Sequence, residues 1–374
     1  MTASLAATPL LPWHRSAEAT LVPFAGYEMP IQYGSIVQEH QACRRSAAVF
    51  DVSHMGRLRF DGEGSAQLLD HLLSRRVIGM KPGQVRYGLI CNADGGVLDD
   101  VLVSRLETPS GTDYHLMVVN ASNREKILKW IQPHLADFPK VTMSDRTEVT
   151  AMIAVQGPEA IGICSRLFSV DIAGLRYFRG VVTEQFSKPV IVSRTGYTGE
   201  DGIEIIVRAE DALRVWENLM LAGRDQGITA AGLGARDTLR MEAGMPLYGH
   251  ELSEQINPLE AGLGFACDLD DRSFVGDDAL RAARQRGATR ARVGLVPEGR
   301  RPVREACAIL DAEGQTIGQV TSGGPSPTLG HPIAMGYVQP AAAEVGTTVR
   351  IDNRGRVQEA RVTALPFYKR SRTA

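Results

Sequence analysis

The sequence predicts an α+β protein that ends in an all-β module. Two observations carry this. Strand-like and helix-like runs are mixed along the chain up to about residue 285. From about residue 290 the helical spacing stops, while short strand-like runs continue at turn-rich intervals. A third observation is local: Asp94-Gly95-Gly96 lies between two β-rich runs, a strong hairpin signal. At 374 residues the chain exceeds one compact core, so two or three domains are expected. We place a first α+β region over 1–145, a second over 146–285, and a C-terminal β-barrel domain over 286–374.

The elements follow in order. FAGYEMPIQYGS is rich in aromatics and turn formers. In IVQEHQACRRSAAVFDVSHMGRLRF the first half reads as a helix and the second as a strand. SAQLLDHLLSR (65–75) has helical spacing. QVRYGLICN and VLDDVLVSRL are the strands flanking the Asp94-Gly95-Gly96 turn, and YHLMVVN (114–120) is another. ASNREKILKWIQPHL (121–135) starts with small polar cap residues and continues as a helix. After residue 145 a similar rhythm returns. TAMIAVQ, PVIVSRT and GIEIIVR are strands; PEAIGICSRLF, EDALRVWENLMLAG and GARDTLRMEAG are helices. No residue-level repeat makes the halves duplicates. ARVGLVP, ACAILD, GQTIGQVTS, PIAMGYV, TTVRIDN and VQEARVTAL then supply the strands of a small barrel.

Composition narrows the function. The net charge of −2 gives no basic excess that would point to nucleic acid or a membrane surface. Five cysteines are spread singly, which fits a reducing, cytoplasmic setting rather than a disulfide framework or a zinc knuckle. The N-terminus has no basic residue before Arg15, so no signal peptide is expected, and no apolar run approaches the roughly 18 residues of a membrane span. GEGSAQ (62–67) and GLGARD (232–237) lack the third small residue of a dinucleotide fingerprint. No phosphate-binding loop, His-x-x-x-His pair or Gly-x-Ser-x-Gly elbow occurs. Neither a metal nor a nucleotide is expected, and an electrophile or cofactor must come from outside.

Three stretches can carry chemistry. In VLDDVLV, Asp99 shares a strand face with Val97, Val101 and Val103, while Asp100 shares the other with Leu98 and Leu102. Whichever face is buried, one carboxylate lies among apolar neighbours, where it suits proton handling or orientation of a basic nitrogen. Spacing does not choose between them, and a solvent-facing hairpin edge is the plainer alternative. In RTGYTGEDGIEI, Gly196, Gly199 and Gly202 allow close backbone approach, and Glu204 sits between Ile203 and Ile205. A carboxylate there can accept two hydrogen bonds from an amino-bearing heterocycle. In GLGARDTLRMEAGMPLYGHEL, Arg236 and Arg240 share a helix face, with a solvated, salt-bridged face as the alternative. The arginine-rich segment 281–304 reads as a solvated helix and linker, with docking to an acidic partner as the sharper reading.

FAGYEMPIQYGSIVQEH, FDVSHMGRL, ADGGVLDDVLV, AVQGPEA, TGYTGEDGIEI, GLGARDTLRMEAGMPLYGHEL, PLEAGLGF and VTSGGPSPTLGHPIAMGYV together resemble the aminomethyltransferase, or T-protein, family of the glycine cleavage system. The resemblance runs in order from about residue 10 to the C-terminus. It implies a three-domain ring or cloverleaf, two α+β folate-binding regions and a barrel, around a central folate channel. It implies that the methylene of an aminomethyl group, held on the lipoyl arm of H-protein, passes to tetrahydrofolate as ammonia leaves.

Matched residue by residue, the resemblance makes Asp99 the catalytic carboxylate and leaves Asp100 a structural role. Glu204 becomes a pterin-binding carboxylate and Arg236 a folate-binding residue. Tyr87, Asn120, Tyr197 and Met55 fall in stretches that line the family's folate channel. At the C-terminus Arg372 is assigned a folate contact, with Arg370 competing. Tetrahydrofolate is the expected acceptor and lipoylated H-protein the expected partner. A tetrahydrofolate-dependent demethylase on the same fold is the rival enzyme. A non-enzymatic folate-binding relative would carry Lys-Gly-Cys-Tyr-x-Gly-Gln-Glu, where this chain has RTGYTGEDG without cysteine.

Overall fold

The computed structural model describes residues 4–185 and 187–370. The fold is α+β with a closed C-terminal barrel, as the residue pattern predicts. A five-stranded sheet runs in the order Val85–Cys91, Val97–Glu107, Asp113–Val119, Gly56–Asp61 and Thr142–Asp145. A six-stranded sheet runs Gly180–Gln185, Lys188–Ser193, Gly202–Arg208, Thr150–Gln156, Ala48–Asp51 and Thr229–Ala230. Its pairs are antiparallel except the last, which is parallel.

The six-stranded sheet buries one face under the helices Ala160–Cys164 and Ala212–Ala222. Ile153, Val155, Ile203, Ile205 and Val207 meet Ile163, Val215, Trp216 and Leu219 there. Each such side chain contributes roughly 1.5–3 kcal/mol by leaving water. Alternation along Gly202–Arg208 therefore turns Glu204 and Ile206 to the opposite face.

In the barrel the order is Ala291–Pro297, Pro332–Val338, Thr316–Pro325, Ala308–Leu310, Thr348–Asp352 and Val357–Thr363. Val293, Leu295, Ile309, Val320, Val349, Ile351 and Val362 fill it. Closure removes the sheet edges that would otherwise invite pairing with other chains. Contacts divide the chain into two compact units. One holds the chain up to Gly88, then Asp100–Gly196 and Glu200–Arg236; the other holds Leu89–Asp99, Tyr197–Gly199 and the chain from Asp237.

The Asp94-Gly95-Gly96 turn forms as predicted. Gly95 has φ +80°, and Asn92 caps the turn by accepting from the Gly96 N–H through Oδ1 at 2.8 Å. A Cβ at Gly96 would lie 1.8 Å from the Glu254 carbonyl oxygen, which forbids any other residue there.

Two expected elements come out differently. The single strand read in AAVFDVSHMGRLRF is two strands, Ala48–Asp51 and Gly56–Asp61, and they belong to different sheets. The switch is made by the turn Val52-Ser53-His54-Met55, closed by the Met55 N–H on the Val52 carbonyl at 3.1 Å. It contains no glycine, proline or asparagine, and its local turn signals are only Ser53 and the Asp51 before it. The helix read over 121–135 is α-helical only over Arg124–Ile131, with 3-10 turns at Ala121–Asn123 and Gln132–Asp137. Pro133 lacks the N–H that would continue the α-helix.

Candidate functional site

The strand Val97–Glu107 buries the Asp99 face and leaves the Asp100 face half-buried. Asp99 has 0% exposure. Asp99 and Asp100 both have apolar neighbours along the strand, and they differ in access. Asp100 has partners that the sequence did not reveal. The Tyr87 hydroxyl donates to its Oδ2 at 3.1 Å, and Asn120 Nδ2 donates to its Oδ1 at 2.7 Å. Burial pushes the Asp100 carboxyl up to about 6, against the lowering effect of the Asn120 and Tyr87 hydrogen bonds. A carboxylate balanced near neutral pH is suited to giving and taking protons. Tyr87 and Asn120, expected as ligand-lining residues, thus converge on Asp100.

Glu204 is 7% exposed, which excludes a solvent-facing strand position. The Thr195 hydroxyl donates to its Oε2 at 2.5 Å. Burial holds its carboxyl above the usual range, against the Thr195 hydrogen bond and the Arg236 charge. Arg236 is half-buried in the first turns of the helix Leu233–Glu242. Glu39 fixes the start of that helix by accepting the Gly232 N–H at 2.9 Å while also accepting the Tyr33 N–H at 2.7 Å. The Arg236 charge thus reaches Glu204. The glycines around Glu204 have another explanation than ligand approach. A Cβ on Gly196 would lie 1.9 Å from Gln156 Oε1, and one on Gly202 would lie 2.3 Å from the Val155 carbonyl oxygen. Both make room for the neighbouring strand.

Met55 is half-buried in the sheet-switching turn, next to His54, which sequence reasoning passed over. This turn is unusually constrained. Ser53 Oγ exchanges hydrogen bonds with the Met152 backbone, donating to its carbonyl at 3.2 Å and accepting its N–H at 3.1 Å. Asp51 Oδ1 accepts the Ser53 N–H at 2.9 Å. The other Asp51 oxygen accepts from Thr8 Oγ1 at 2.6 Å and contacts His14 Nε2 at 2.9 Å, and Tyr33 closes the chain on His14 Nδ1 at 2.8 Å. Burial opposes the Asp51 charge, but the His14 contact and the Ser53 and Thr8 hydrogen bonds hold its carboxyl below the usual range.

Beneath the turn lies Arg57, with no exposed surface. Its guanidinium donates to the carbonyls of Ser53, Met55, Thr147 and Thr150 and to the Thr150 hydroxyl. Burial pushes it down to about 10, so it is charged at neutral pH.

His54 is 3% exposed, and its Nδ1 is buried with no hydrogen-bond partner among the described residues. Burial and then the Arg236 charge push its imidazole down to about 3, against the pull of Asp51. It is neutral under physiological conditions. Arg236 acts electrostatically on both His54 and Glu204, which groups the three residues on one unit.

The other expected residues fall as follows. Asp99 and Tyr197 lie in the second unit. Tyr197 is half-buried, and its hydroxyl donates to the Pro246 carbonyl. Arg372 lies outside the described residues; Arg370 is described and half-buried.

Arg240 is 2% exposed and is not on a solvated face. It pairs with Glu251 at 2.9 Å and Asp237 at 2.8 Å and donates to Ser322 Oγ at 2.9 Å. The arginine-rich segment is largely engaged within the chain. Arg281 pairs with Asp277, Arg284 with Asp270 and Arg290 with Glu260, while Arg292 donates to the Ala261 and Gly244 carbonyls. Among the described residues no helix is long and apolar enough to cross a membrane.

Residues 10–271 match the family described as the GCVT N-terminal domain, and residues 290–369 match the glycine cleavage T-protein C-terminal barrel domain. The aminomethyltransferase of Streptomyces coelicolor is 46% identical over 364 residues, covering 96% of each chain. That of Moorella thermoacetica is 44% identical over 368 residues, covering 98% of this chain and 99% of its own. Among solved structures, the glycine cleavage system aminomethyltransferase T from Bartonella henselae superposes with a TM-score of 0.91. It is 33% identical and covers 98% of this chain and 99% of its own.

Proposed function

The chain belongs to the aminomethyltransferase, or T-protein, family of the glycine cleavage system, and from that premise we propose a specific reaction. It moves the methylene of an aminomethyl group, held on a sulfur of the lipoyl arm of H-protein, to two nitrogens of tetrahydrofolate; the carbon–nitrogen bond breaks to release ammonia, the carbon–sulfur bond breaks to leave the reduced lipoyl thiol, and 5,10-methylenetetrahydrofolate forms. The observation that carries this reading is Asp100, a half-buried carboxylate gripped by Tyr87 and Asn120 and balanced near pH 6. Tetrahydrofolate supplies the nucleophilic nitrogen that accepts the one-carbon unit. The donor set on the chain suits it. Glu204 offers a buried acceptor to an amino-pyrimidine edge, and Arg236 offers charge beside it. Asp100 orients the reacting amine and holds or passes a proton as ammonia leaves, while Tyr87 and Asn120 keep its carboxylate in place.

A second reading assigns the catalytic role to Asp99. Its favouring observation is complete burial, where a carboxylate is costly unless it is paired or put to use. Met55, Tyr197 and Arg372 stay in the proposal as folate contacts to be tested singly. The division at residues 145 and 285 also stays. The second boundary is supported by the gap between the two matched regions, 271 to 290. A cytoplasmic setting and docking of lipoylated H-protein complete the proposal. The internal pairing of Arg281, Arg284 and Arg290 weighs against those residues as the docking surface.

Glu204→Ala is expected to weaken tetrahydrofolate binding by about ten- to a hundredfold, the worth of a hydrogen bond to a charged group. Titration calorimetry on the variant and the parent measures this. An unchanged dissociation constant removes Glu204 from the site.

A further inference from the structure

The six-stranded sheet ends in Gly180–Gln185, which pairs within the sheet with Lys188–Ser193 alone. The hydrogen bonds at its start show which groups face the open side. The Arg194 N–H donates to the Arg179 carbonyl at 2.7 Å, on the paired side. The Gly180 N–H points the other way and donates to the Gly83 carbonyl at 2.8 Å. Backbone groups alternate sides along an antiparallel strand, so the N–H and C=O of Val182 and Glu184 also point outward. Among the described residues nothing bonds them there.

The segment that begins to cover this edge stops abruptly. Residues 83–85 lie between two strands. On one side the Gly83 N–H donates to the Arg105 carbonyl at 2.8 Å and the Arg105 N–H to the Gln84 carbonyl at 3.0 Å. On the other, the Val85 N–H donates to the Phe178 carbonyl at 3.1 Å, antiparallel to the strand that follows. Before Gly83 comes Pro82, which has no N–H to give a ladder. Both flanking strands run on without a strand between them. Glu107, two residues past Arg105, turns its own N–H and C=O toward the gap, and they too are unbonded among the described residues. The gap is a cleft of about 880 Å³ with Leu106, Glu107 and Thr108 on one wall and residues 181–184 on the other. It lies wholly within the first compact unit.

The cleft has the form of a vacant strand position, and unpaired edges of this kind recruit other chains. A guest strand in line with residues 83–85 runs antiparallel to Gly180–Gln185 and brings its C-terminal end up to Gly83. The charge of the cleft suits that direction. Arg176 and Arg179 line it where the strand begins, and neither is in an ion pair among the described residues. Glu184 lines it four residues beyond Gly180, about 13 Å along the strand, and Glu107 faces that end from the other wall. We propose that this cleft is a strand-addition site for an extended peptide tail with a free C-terminal carboxylate. The guest backbone pairs with Val182 and Glu184, its carboxylate meets Arg176 and Arg179, and its N-terminal side faces Glu107 and Glu184. Backbone pairing supplies the affinity, and the two arginines, which grip carboxylates through a planar fork, supply the preference for a chain end.

The probe is the pentapeptide Thr-Val-Thr-Val-Thr with free termini, titrated into the full chain by calorimetry. Val182→Pro removes one outward N–H and is expected to bind the probe about tenfold more weakly than the parent. Amidating the C-terminus of the probe is expected to cost the parent about fivefold, the worth of an exposed ion pair, and the double variant Arg176→Ser, Arg179→Ser is expected to bind both forms equally. In the parent, the Val182 and Glu184 amides are expected to exchange with solvent more slowly when the probe is present. Equal affinity in Val182→Pro and the parent, or amides that the probe does not slow, overturns the proposal. The amide exchange and the serine variant decide if the proline variant does not fold. Slowing that needs no probe and rises with protein concentration, in step with dimer formation, assigns the edge to a second copy of the chain and overturns it equally.

Discussion

Asp100→Asn is expected to lower turnover by about a hundredfold or more, within the range that a positioned acid–base group contributes. The substitution keeps the shape and most of the hydrogen-bonding capacity of the side chain, so Tyr87 and Asn120 retain a partner. What it removes is the ionisable oxygen. The pH dependence follows from the raised carboxyl. If the ionised form works, parental turnover falls as pH drops through about 6, and the variant shows no inflection there.

The sign for stability is opposite. A carboxyl whose folded value is raised binds more protons folded than unfolded between about 3.8 and about 6, so its ionisation opposes folding above that window. Asp100→Asn should therefore be at least as stable as the parent at pH 7, and the difference should vanish below about pH 4. Thermal midpoints across pH check this. A loss of activity together with undiminished stability cannot be assigned to unfolding. Asp99→Asn is the comparison: if it lowers turnover tenfold or more while Asp100→Asn does not, the catalytic role belongs to Asp99.

Arg57→Met is expected to destabilise the chain by about 3 kcal/mol. It leaves the Ser53, Met55, Thr147 and Thr150 carbonyls without their shared donor in a place water cannot easily reach. That corresponds to a fall in thermal midpoint of roughly 6–12 °C. Because the same guanidinium fixes the turn bearing His54 and Met55, tetrahydrofolate affinity should fall as well. A midpoint within about 2 °C of the parent would contradict this account of Arg57.

Much of the fold is legible in the residues because the signals are local. The Asp94-Gly95-Gly96 turn, the alternating Ile203, Ile205 and Val207, and the switch to short strands after residue 290 each state their own geometry. The sheet switch at 52–55 is not legible, because it is built from long-range bonds. Ser53 reaches Met152 and Arg57 reaches Thr147 and Thr150, and the local marks, Asp51 and Ser53, sit inside an otherwise strand-like run.

The candidate site divides in the same way. Glu204 stands out as a carboxylate between isoleucines. Alternation shows that Asp99 and Asp100 face opposite ways, but not which face is sealed. That depends on Tyr87 and Asn120, placed by neighbouring strands. His54 carries no local mark at all. Its neutral state comes from burial and from Arg236 and Arg57, one far away in the chain and the other buried below it.

The central claim is that this chain releases ammonia from a partner-bound aminomethyl group only when tetrahydrofolate is present. The direct measurement is ammonia formed by the purified chain from aminomethyl-loaded, lipoylated H-protein, with and without tetrahydrofolate. The account predicts ammonia release that depends on tetrahydrofolate and is matched by 5,10-methylenetetrahydrofolate. No acceleration by tetrahydrofolate, alongside tetrahydrofolate-dependent demethylation of a methylated substrate by the same preparation, would contradict it.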